Sequence, residues 1–200
     1  MQSPIHGNES LDRAAWQKPD SVLVLLNVAP GQTVADIGAG EGYFSIPLAK
    51  AVLPGGRVLV VDTNPDRLKA AAERAAGEGL TGLDTVRALP GDPQLPPASV
   101  DLIFICNALH HIDNRAAYYP HLIQALKPGG KFVVIDFYEK DLPVGPRGPK
   151  HKLAKSAAVS ELLAAGFEII GDFGLLPYQY FLISRVSREH TKPQKPWSAR

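Results

Sequence analysis

Short apolar runs alternate with amphipathic stretches along most of the chain. The runs QTVADIG, RVLVVD, VDLIFICNAL and KFVVIDFY are almost continuously apolar, which predicts strands that are buried on both faces. Between them lie YFSIPLAKAV, PDRLKAAAERAAGEG and NRAAYYPHLIQAL, whose apolar residues recur at helical spacing. A weaker strand is predicted in LDTVRAL. The alternation predicts a mostly parallel sheet covered by helices on both faces.

Both ends of the chain depart from this alternation. DRAAWQKPDSVLVLLNV is predicted to be helical with a break near Pro19, and Asp20 or Ser21 is the expected cap of its second piece. Near the other end, FEIIGDFG and PYQYFLISRVS read as strands, separated by too few residues for a crossover helix. They are therefore predicted to pair as an antiparallel hairpin at one edge of the sheet.

Composition adds mainly exclusions. The 200 residues, with 45% hydrophobic and 20% charged residues, are typical of one globular domain. A formal charge of +1 favours no polyanionic partner, and the single Cys106 argues against a disulfide or a thiolate metal cluster. The first residues lack the apolar core of a signal peptide, and no apolar run approaches the roughly 20 residues that span a bilayer. We therefore expect a cytoplasmic protein.

Three glycines follow the first predicted strand within five residues: Gly38, Gly40 and Gly42 in VADIGAGEGYFS. A glycine-rich turn between a strand and a helix is a ligand-binding crevice in folds of this type. A dinucleotide fingerprint reads G-x-G-x-x-G, but here Tyr43 stands at the third glycine position. No Lys-Ser/Thr pair follows, as a phosphate-binding loop would require. The spacing therefore disfavours a nicotinamide oxidoreductase.

The same stretch resembles motif I of the class I S-adenosylmethionine-dependent methyltransferases. VLVVDTNPDRL, LPGDPQLPPASVDLIFICNALHHIDN and LKPGGKFVVIDF resemble later motifs of that family, in the same order. The resemblance covers roughly Trp16 to Ser184 and is closest to the small methyltransferases of ubiquinone and menaquinone biosynthesis. It implies a Rossmann-like α/β fold with a seven-stranded, mostly parallel sheet and a C-terminal antiparallel strand pair. It divides the chain into a helical lid segment (1–30), an S-adenosylmethionine-binding domain (31–187) and a flexible basic tail (188–200).

The resemblance also implies a cofactor site for S-adenosylmethionine, with S-adenosylhomocysteine as the product. Asp36 is expected to face the ammonium group, Asp62 the ribose hydroxyls and Asp92 the adenine amino group. For Asp92 the alternative is a plain turn residue, as it is for Gly40. The full expected set is Asp36, Gly38, Gly40, Gly42, Tyr43, Asp62, Thr63, Gly91, Asp92 and Asn107, the last of them beside the sulfonium.

His110 and His111 directly follow the fourth strand and are the candidates for catalysis. A hydroxyl or carbon acid that receives a methyl group needs a base nearby, and histidine titrates near neutrality. The alternative is that the pair only packs in its loop. Asp113 is expected to cap the next helix. A metal site from these three residues is not expected, because adjacent side chains point in different directions.

Aromatic residues are the candidates for the acceptor pocket. Trp16, Tyr138, His151 and Tyr178 are the expected substrate-binding residues, with ordinary packing as the alternative. At alternate strand positions, Tyr178 and Tyr180 are predicted to share one face. The loop over 139–152 is basic and is expected either to close over an anionic acceptor or to remain a solvated loop.

These observations predict an enzyme that methylates a small molecule, as a monomer or homodimer, without a nucleic-acid partner. Two alternatives stay open. One is quinone or phospholipid methylation at a membrane surface, with the basic tail providing weak electrostatic contact. The other is a catalytically inactive S-adenosylmethionine-binding protein, since the three acids report on donor binding alone.

Overall fold

The computed structural model describes residues 12–148 and 152–188, which form a seven-stranded sheet with helices on both faces. The strands lie in the order β3-β2-β1-β4-β5-β7-β6. The first five are mutually parallel, while β7 runs antiparallel to both β5 and β6. Their bounds are β1 Thr33–Ile37, β2 Arg57–Asp62, β3 Leu83–Arg87, β4 Val100–Cys106, β5 Leu126–Phe137, β6 Phe167–Phe173 and β7 Gln179–Val186. The predicted fold class, including the terminal antiparallel pair, is confirmed.

The helices divide between the two faces of the sheet. Helices α2, α3 and α4 pack on a cluster that includes Val60 and Phe104, and α5 and α6 pack on one that includes Ile105 and Phe132. This two-sided cover explains why the central strands are continuously apolar. The helices are α1 Arg13–Gln17, α2 Pro19–Leu26, α3 Ser45–Val52, α4 Pro65–Gly77, α5 Arg115–Ala125 and α6 Lys155–Ala164, with a 3₁₀ turn at Leu109–His111.

Two predicted helix caps are wrong. Helix α2 begins at Pro19 itself, so Asp20 and Ser21 lie inside it, and the break falls at Lys18 in a left-handed conformation with φ 45°. Proline is favoured at the first helical position because its missing N–H is not needed there. Helix α5 is capped by Asn114, one residue after the expected Asp113, through a 3.3 Å bond from the Ala117 N–H.

The sheet order reverses between β1 and β4, and the carboxyl ends of β1, β2, β4 and β5 meet at one edge. Ligands of open α/β sheets bind in the crevice at such a reversal. The glycine turn after β1 therefore lies where a ligand crevice is expected. Among the described residues, no helix combines the length and the apolar character that crossing a bilayer requires.

Candidate active site

The three glycines of the turn after β1 all adopt positive φ, but their surroundings differ. A Cβ on Gly38 would lie 2.3 Å from the Cβ of Ala108, so this glycine lets the turn pack against the loop after β4. A Cβ on Gly40 would meet no atom within 4 Å among the described residues. The backbone at Gly40 is thus bare towards open space, as close approach of a ligand requires.

Asp62, at the end of β2, is 6% exposed and bonded to the glycine turn. Its Oδ2 accepts from the Gly40 N–H at 2.9 Å, and its Oδ1 accepts from the Asn64 N–H at 2.9 Å. Asn64 in turn caps α4, its side chain accepting from the N–H groups of Asp66 and Arg67. Each carboxylate oxygen retains one lone pair, which suffices for two adjacent hydroxyl donors.

Asp36 and Arg13 line one small cavity of about 40 Å³, together with Gly38, Ala39, Tyr43, Phe44 and Cys106. Asp36 is 3% exposed, and its Oδ2 accepts from the Ser45 hydroxyl at 2.6 Å. Burial raises the pKa of Asp36 to about 7, while the Ser45 bond and the positive charge of Arg13 act in the opposite direction. The cavity therefore holds an ionisable acid and a permanent cation.

Helix α1 covers this cavity. The Arg13 guanidinium lies 3.7 Å from the centre of the Tyr43 ring, and its Nε donates to Gln17 Oε1 at 2.5 Å. Gln17 is fully buried, and its Nε2 donates to Cys106 Sγ at 3.0 Å. With α1 in this position the cavity is far smaller than the roughly 300–1,000 Å³ of common ligand pockets.

His110 forms a buried pair with Asp136, which sequence reasoning missed. Its Nδ1 lies 2.8 and 2.9 Å from the two oxygens of Asp136, and the two side chains are 5% and 0% exposed. His111 is exposed, and its ring lies 4.1 Å from that of His110. The signal for Asp136 is the acid inside the apolar run KFVVIDFY, the same signal that distinguishes Asp36 in β1.

The expected adenine end of the site is less enclosed. Asp92 Oδ1 accepts from the Gln94 N–H at 2.8 Å, which is the bond of a turn residue, and lies 3.9 Å from Nδ1 of His121. Gly91 and Thr63 are exposed. The roles of these three residues towards adenine or ribose stay predictions.

Asn107, directly after β4, joins a second buried cluster. With φ at 58° its backbone turns away from the strand, and its Oδ1 accepts from Gln179 Nε2 at 2.5 Å. Gln179 is fully buried, and its side chain also contacts the Cys106 thiol, whose pKa is raised by burial. Asn107 therefore lies beside the cavity, while its side chain is directed at β7.

Two of the predicted acceptor residues come together, and one lies apart. The Trp16 ring is 5.8 Å from Phe137 and 6.1 Å from Tyr178, so α1 also covers the ends of β5 and β7. Tyr138 instead contacts Tyr180 at 6.1 Å. Strand β7 begins after Tyr178, so its alternation does not include that residue, and the predicted shared face of Tyr178 and Tyr180 is wrong.

His151 lies outside the described residues, as does the tail from 189 onward. In the part of the chain that the structure describes, no three His, Cys, Asp or Glu side chains come together as metal ligands.

Known sequences resemble the part of the chain that contains this site. A family model described as a methyltransferase domain matches residues 35–132. The chain is 36% identical over 117 residues to protein-L-isoaspartate O-methyltransferase of Aeropyrum pernix, covering 56% of this chain and 42% of that protein. It is 28% identical over 130 residues to the ubiquinone/menaquinone biosynthesis C-methyltransferase UbiE of Hydrogenovibrio crunogenus, covering 64% and 50%. The chain thus spans about half the length of these curated relatives.

Solved structures share the fold. A SAM-dependent methyltransferase from Aquifex aeolicus superposes with a TM-score of 0.81 at 23% identity, covering 86% of this chain and 93% of that one. The cyclase SpnF superposes with a TM-score of 0.74 at 17% identity, covering 91% and 84%. Since one of these neighbours is described as a cyclase, the likeness establishes architecture and leaves the reaction to be argued from the site.

Proposed function

Because the chain belongs to the class I S-adenosylmethionine-dependent methyltransferases, we propose that it methylates a hydroxyl oxygen or an activated carbon of a small molecule. The names of the similar proteins include both O- and C-methyltransferases, and UbiE is named for quinone biosynthesis. These names support the reaction class. The acceptor is argued from the residues of this chain.

The observation that carries the proposal is the pairing of Asp36 with Arg13 around one cavity. The amino-acid end of S-adenosylmethionine bears an ammonium and a carboxylate group, which these two side chains complement. A nicotinamide dinucleotide presents a pyrophosphate at the equivalent turn and has no ammonium group to pair with the buried Asp36 carboxylate. The charge pattern therefore favours the sulfonium nucleoside over a dinucleotide.

The neighbouring groups fit the rest of that molecule. The bare backbone at Gly40 admits the sugar without a side chain in the way, and Asp62 has lone pairs left for its two hydroxyls. Asp62 is held in place from both sides by backbone N–H groups, so little ordering is needed when the ligand binds.

When bound, S-adenosylmethionine supplies a methyl group on a sulfonium, which leaves as a neutral thioether. The acceptor atom forms the new bond to that methyl carbon and must lose a proton. Asp136 binds Nδ1 of His110, so this nitrogen carries the hydrogen and Nε2 of His110 is the basic atom. We assign Nε2 as the site that takes the proton.

The pair of His110 and Asp136 argues against the alternative of an inactive binding protein. Donor binding uses Asp36, Arg13 and Asp62, and none of these requires a histidine held by a fully buried acid on the other side of β4. Methylation at a membrane surface has no supporting contact among the described residues, because the basic tail lies outside them.

The test combines calorimetry with a labelled-methyl transfer screen. S-adenosylhomocysteine should release heat on binding, and NAD should not. The screen covers phenols and quinols, phospholipid headgroups, amines, thiols and carboxylates, with the unchanged protein and His110→Ala in parallel. We expect product from a phenol or quinol with the unchanged protein alone. Heat with NAD only, or equal turnover by His110→Ala, would refute the proposal.

A further inference from the structure

Gln179, the first residue of β7, carries a buried amide oxygen without a hydrogen-bond donor among the described residues. The residue is fully buried, yet its Oε1 has no hydrogen-bond partner within residues 12–148 and 152–188. Its Nε2 donates a hydrogen bond to Asn107 Oδ1 at 2.5 Å. A buried acceptor without a donor destabilises the folded state, so its retention here needs an explanation.

Gln179 lies beneath α1. The residue is paired with Phe137 across β5 and β7, and Trp16 of α1 contacts Phe137 at 5.8 Å. Its side chain contacts Cys106, whose Sγ also accepts a hydrogen bond from Nε2 of Gln17 in α1. An outward movement of α1 that enlarges the cavity would therefore also uncover the Gln179 amide.

The surroundings of this amide define what could occupy the uncovered space. Trp16, Phe137 and Tyr178 supply three aromatic rings, with centroid separations of 5.8 and 6.1 Å. The polar side chains that contact Gln179 or share Cys106 with it are neutral: the Gln17 amide, Asn107 and a thiol whose pKa is raised by burial. The charged Arg13 and Asp36 line the adjoining cavity. Such a site suits a flat, uncharged molecule that carries one hydrogen-bond donor.

We propose that Gln179 is an acceptor-binding residue whose Oε1 receives the hydroxyl of an aromatic alcohol lying against Trp16 and Tyr178. This rests on the proposed function and gives Gln179 the role of selecting acceptors with a free aromatic hydroxyl. Oxidised quinones and ethers offer no donor to Oε1 and leave it unpaired. The preference for hydroxyl over ether is therefore a property of this one side chain.

The experiment uses α-naphthol and its methyl ether, which share one ring system and differ in the donor. Each is titrated by calorimetry into the full chain saturated with S-adenosylhomocysteine. We expect the alcohol to bind about tenfold more tightly, because the ether leaves the buried amide oxygen unsatisfied. Gln179→Met keeps the length of the side chain, removes the acceptor and should abolish the difference.

Gln17→Leu is the matched control. Gln17 also contacts Cys106, but its Oε1 already accepts a hydrogen bond from Arg13. Gln17→Leu should therefore weaken the binding of α-naphthol and of its methyl ether by the same factor. Equal affinity of the unchanged protein for the two compounds would overturn the inference, even if Gln179→Met does not fold. So would a preference for the alcohol that persists in Gln179→Met. Failure to bind S-adenosylhomocysteine at all would instead refute the proposed function, so the two failures are distinguishable.

Discussion

Two buried acids occupy comparable places on opposite sides of β4, one near the end of β1 and one near the end of β5. Asp36 is 3% exposed and receives one hydrogen bond, from the neutral hydroxyl of Ser45. Asp136 is 0% exposed and is contacted by Nδ1 of His110 and by the Phe137 N–H at 2.8 Å. The same residue type at similar depth thus has very different surroundings.

The comparison indicates that the hydrogen-bond partners of each acid, rather than its residue type or its burial, decide what the acid can do. Asp36 is under-supplied with donors, so burial raises its pKa to about 7 and an incoming cation finds an unsatisfied carboxylate. Both oxygens of Asp136 are engaged by groups of the chain itself, so it is suited to orient His110 rather than to bind a ligand. In the proposed function, the β1 side of the crevice therefore binds the donor and the β5 side takes up the proton.

The largest effect is expected from a substitution on the β5 side. Asp136→Asn should lower kcat by about 10²–10⁴-fold, because Nε2 of His110 is no longer fixed as the basic atom. The affinity for S-adenosylhomocysteine, measured by calorimetry, should not change. Asp113→Asn removes an exposed acid close to His110 in the sequence and serves as the control. An unchanged kcat in Asp136→Asn would remove the distinction between the two acids.

The next effect falls on the β1 side. Asp62→Ala should weaken S-adenosylhomocysteine binding by roughly 100-fold, since hydrogen bonds to a charged group contribute about 1.5–3 kcal/mol each. It should also lower the melting temperature, because the N–H groups of Gly40 and Asn64 lose their acceptor. Asp66→Asn, on the exposed first turn of α4, is the control. Full affinity in Asp62→Ala would exclude the ribose role.

A smaller effect sharpens the comparison through pH. Only ionised Asp36 attracts the ammonium group of the ligand. With the pKa of Asp36 at about 7, the affinity for S-adenosylhomocysteine should rise roughly tenfold between pH 6 and 8. The ratio is taken against Asp36→Asn, so that titration of the ligand's own amino group cancels. Parallel pH profiles for the two proteins would contradict a contact between Asp36 and the ammonium.

The same shift predicts a pH dependence of stability. The folded chain retains the Asp36 proton up to a pH of about 7, whereas the unfolded chain releases it near the ordinary aspartate pKa of 3.8. The free energy of unfolding should therefore fall as pH rises through this window, by at most about 4 kcal/mol. Urea titrations should show this decline in the unchanged protein and a flatter profile in Asp36→Asn.

The smallest effect concerns the helix that joins the two sides. Trp16→Ala removes two ring contacts, each worth about 0.5–1.5 kcal/mol, so α1 should open several-fold more often. Tryptic cleavage after Arg13, at a protease level where the rate follows the open population, measures this. Trp16→Phe should lie between the two. Equal cleavage of all three proteins would show that these contacts do not hold α1.

The two sides also differ in how much the sequence reveals. The β1 side comes from a contiguous stretch, with Asp36 and the three glycines within seven residues, so its turn and its acid are recognisable together. The pairs on the other side join distant positions: His110 with Asp136, and Asn107 with Gln179. They depend on strand register and on the insertion of β7 beside β5, which apolar periodicity does not specify.

Helix α1 touches both sides at once, through Arg13 over Tyr43 and Trp16 against Tyr178, and it is joined to α2 by the single left-handed residue Lys18. One short segment therefore covers both the proposed donor cavity and the proposed acceptor residues. Whichever molecule holds this segment away from the cavity should raise the affinity for the other, and by the same factor in either order of addition. Cooperativity between donor and acceptor is thus expected from five helical residues, without rearrangement of the sheet.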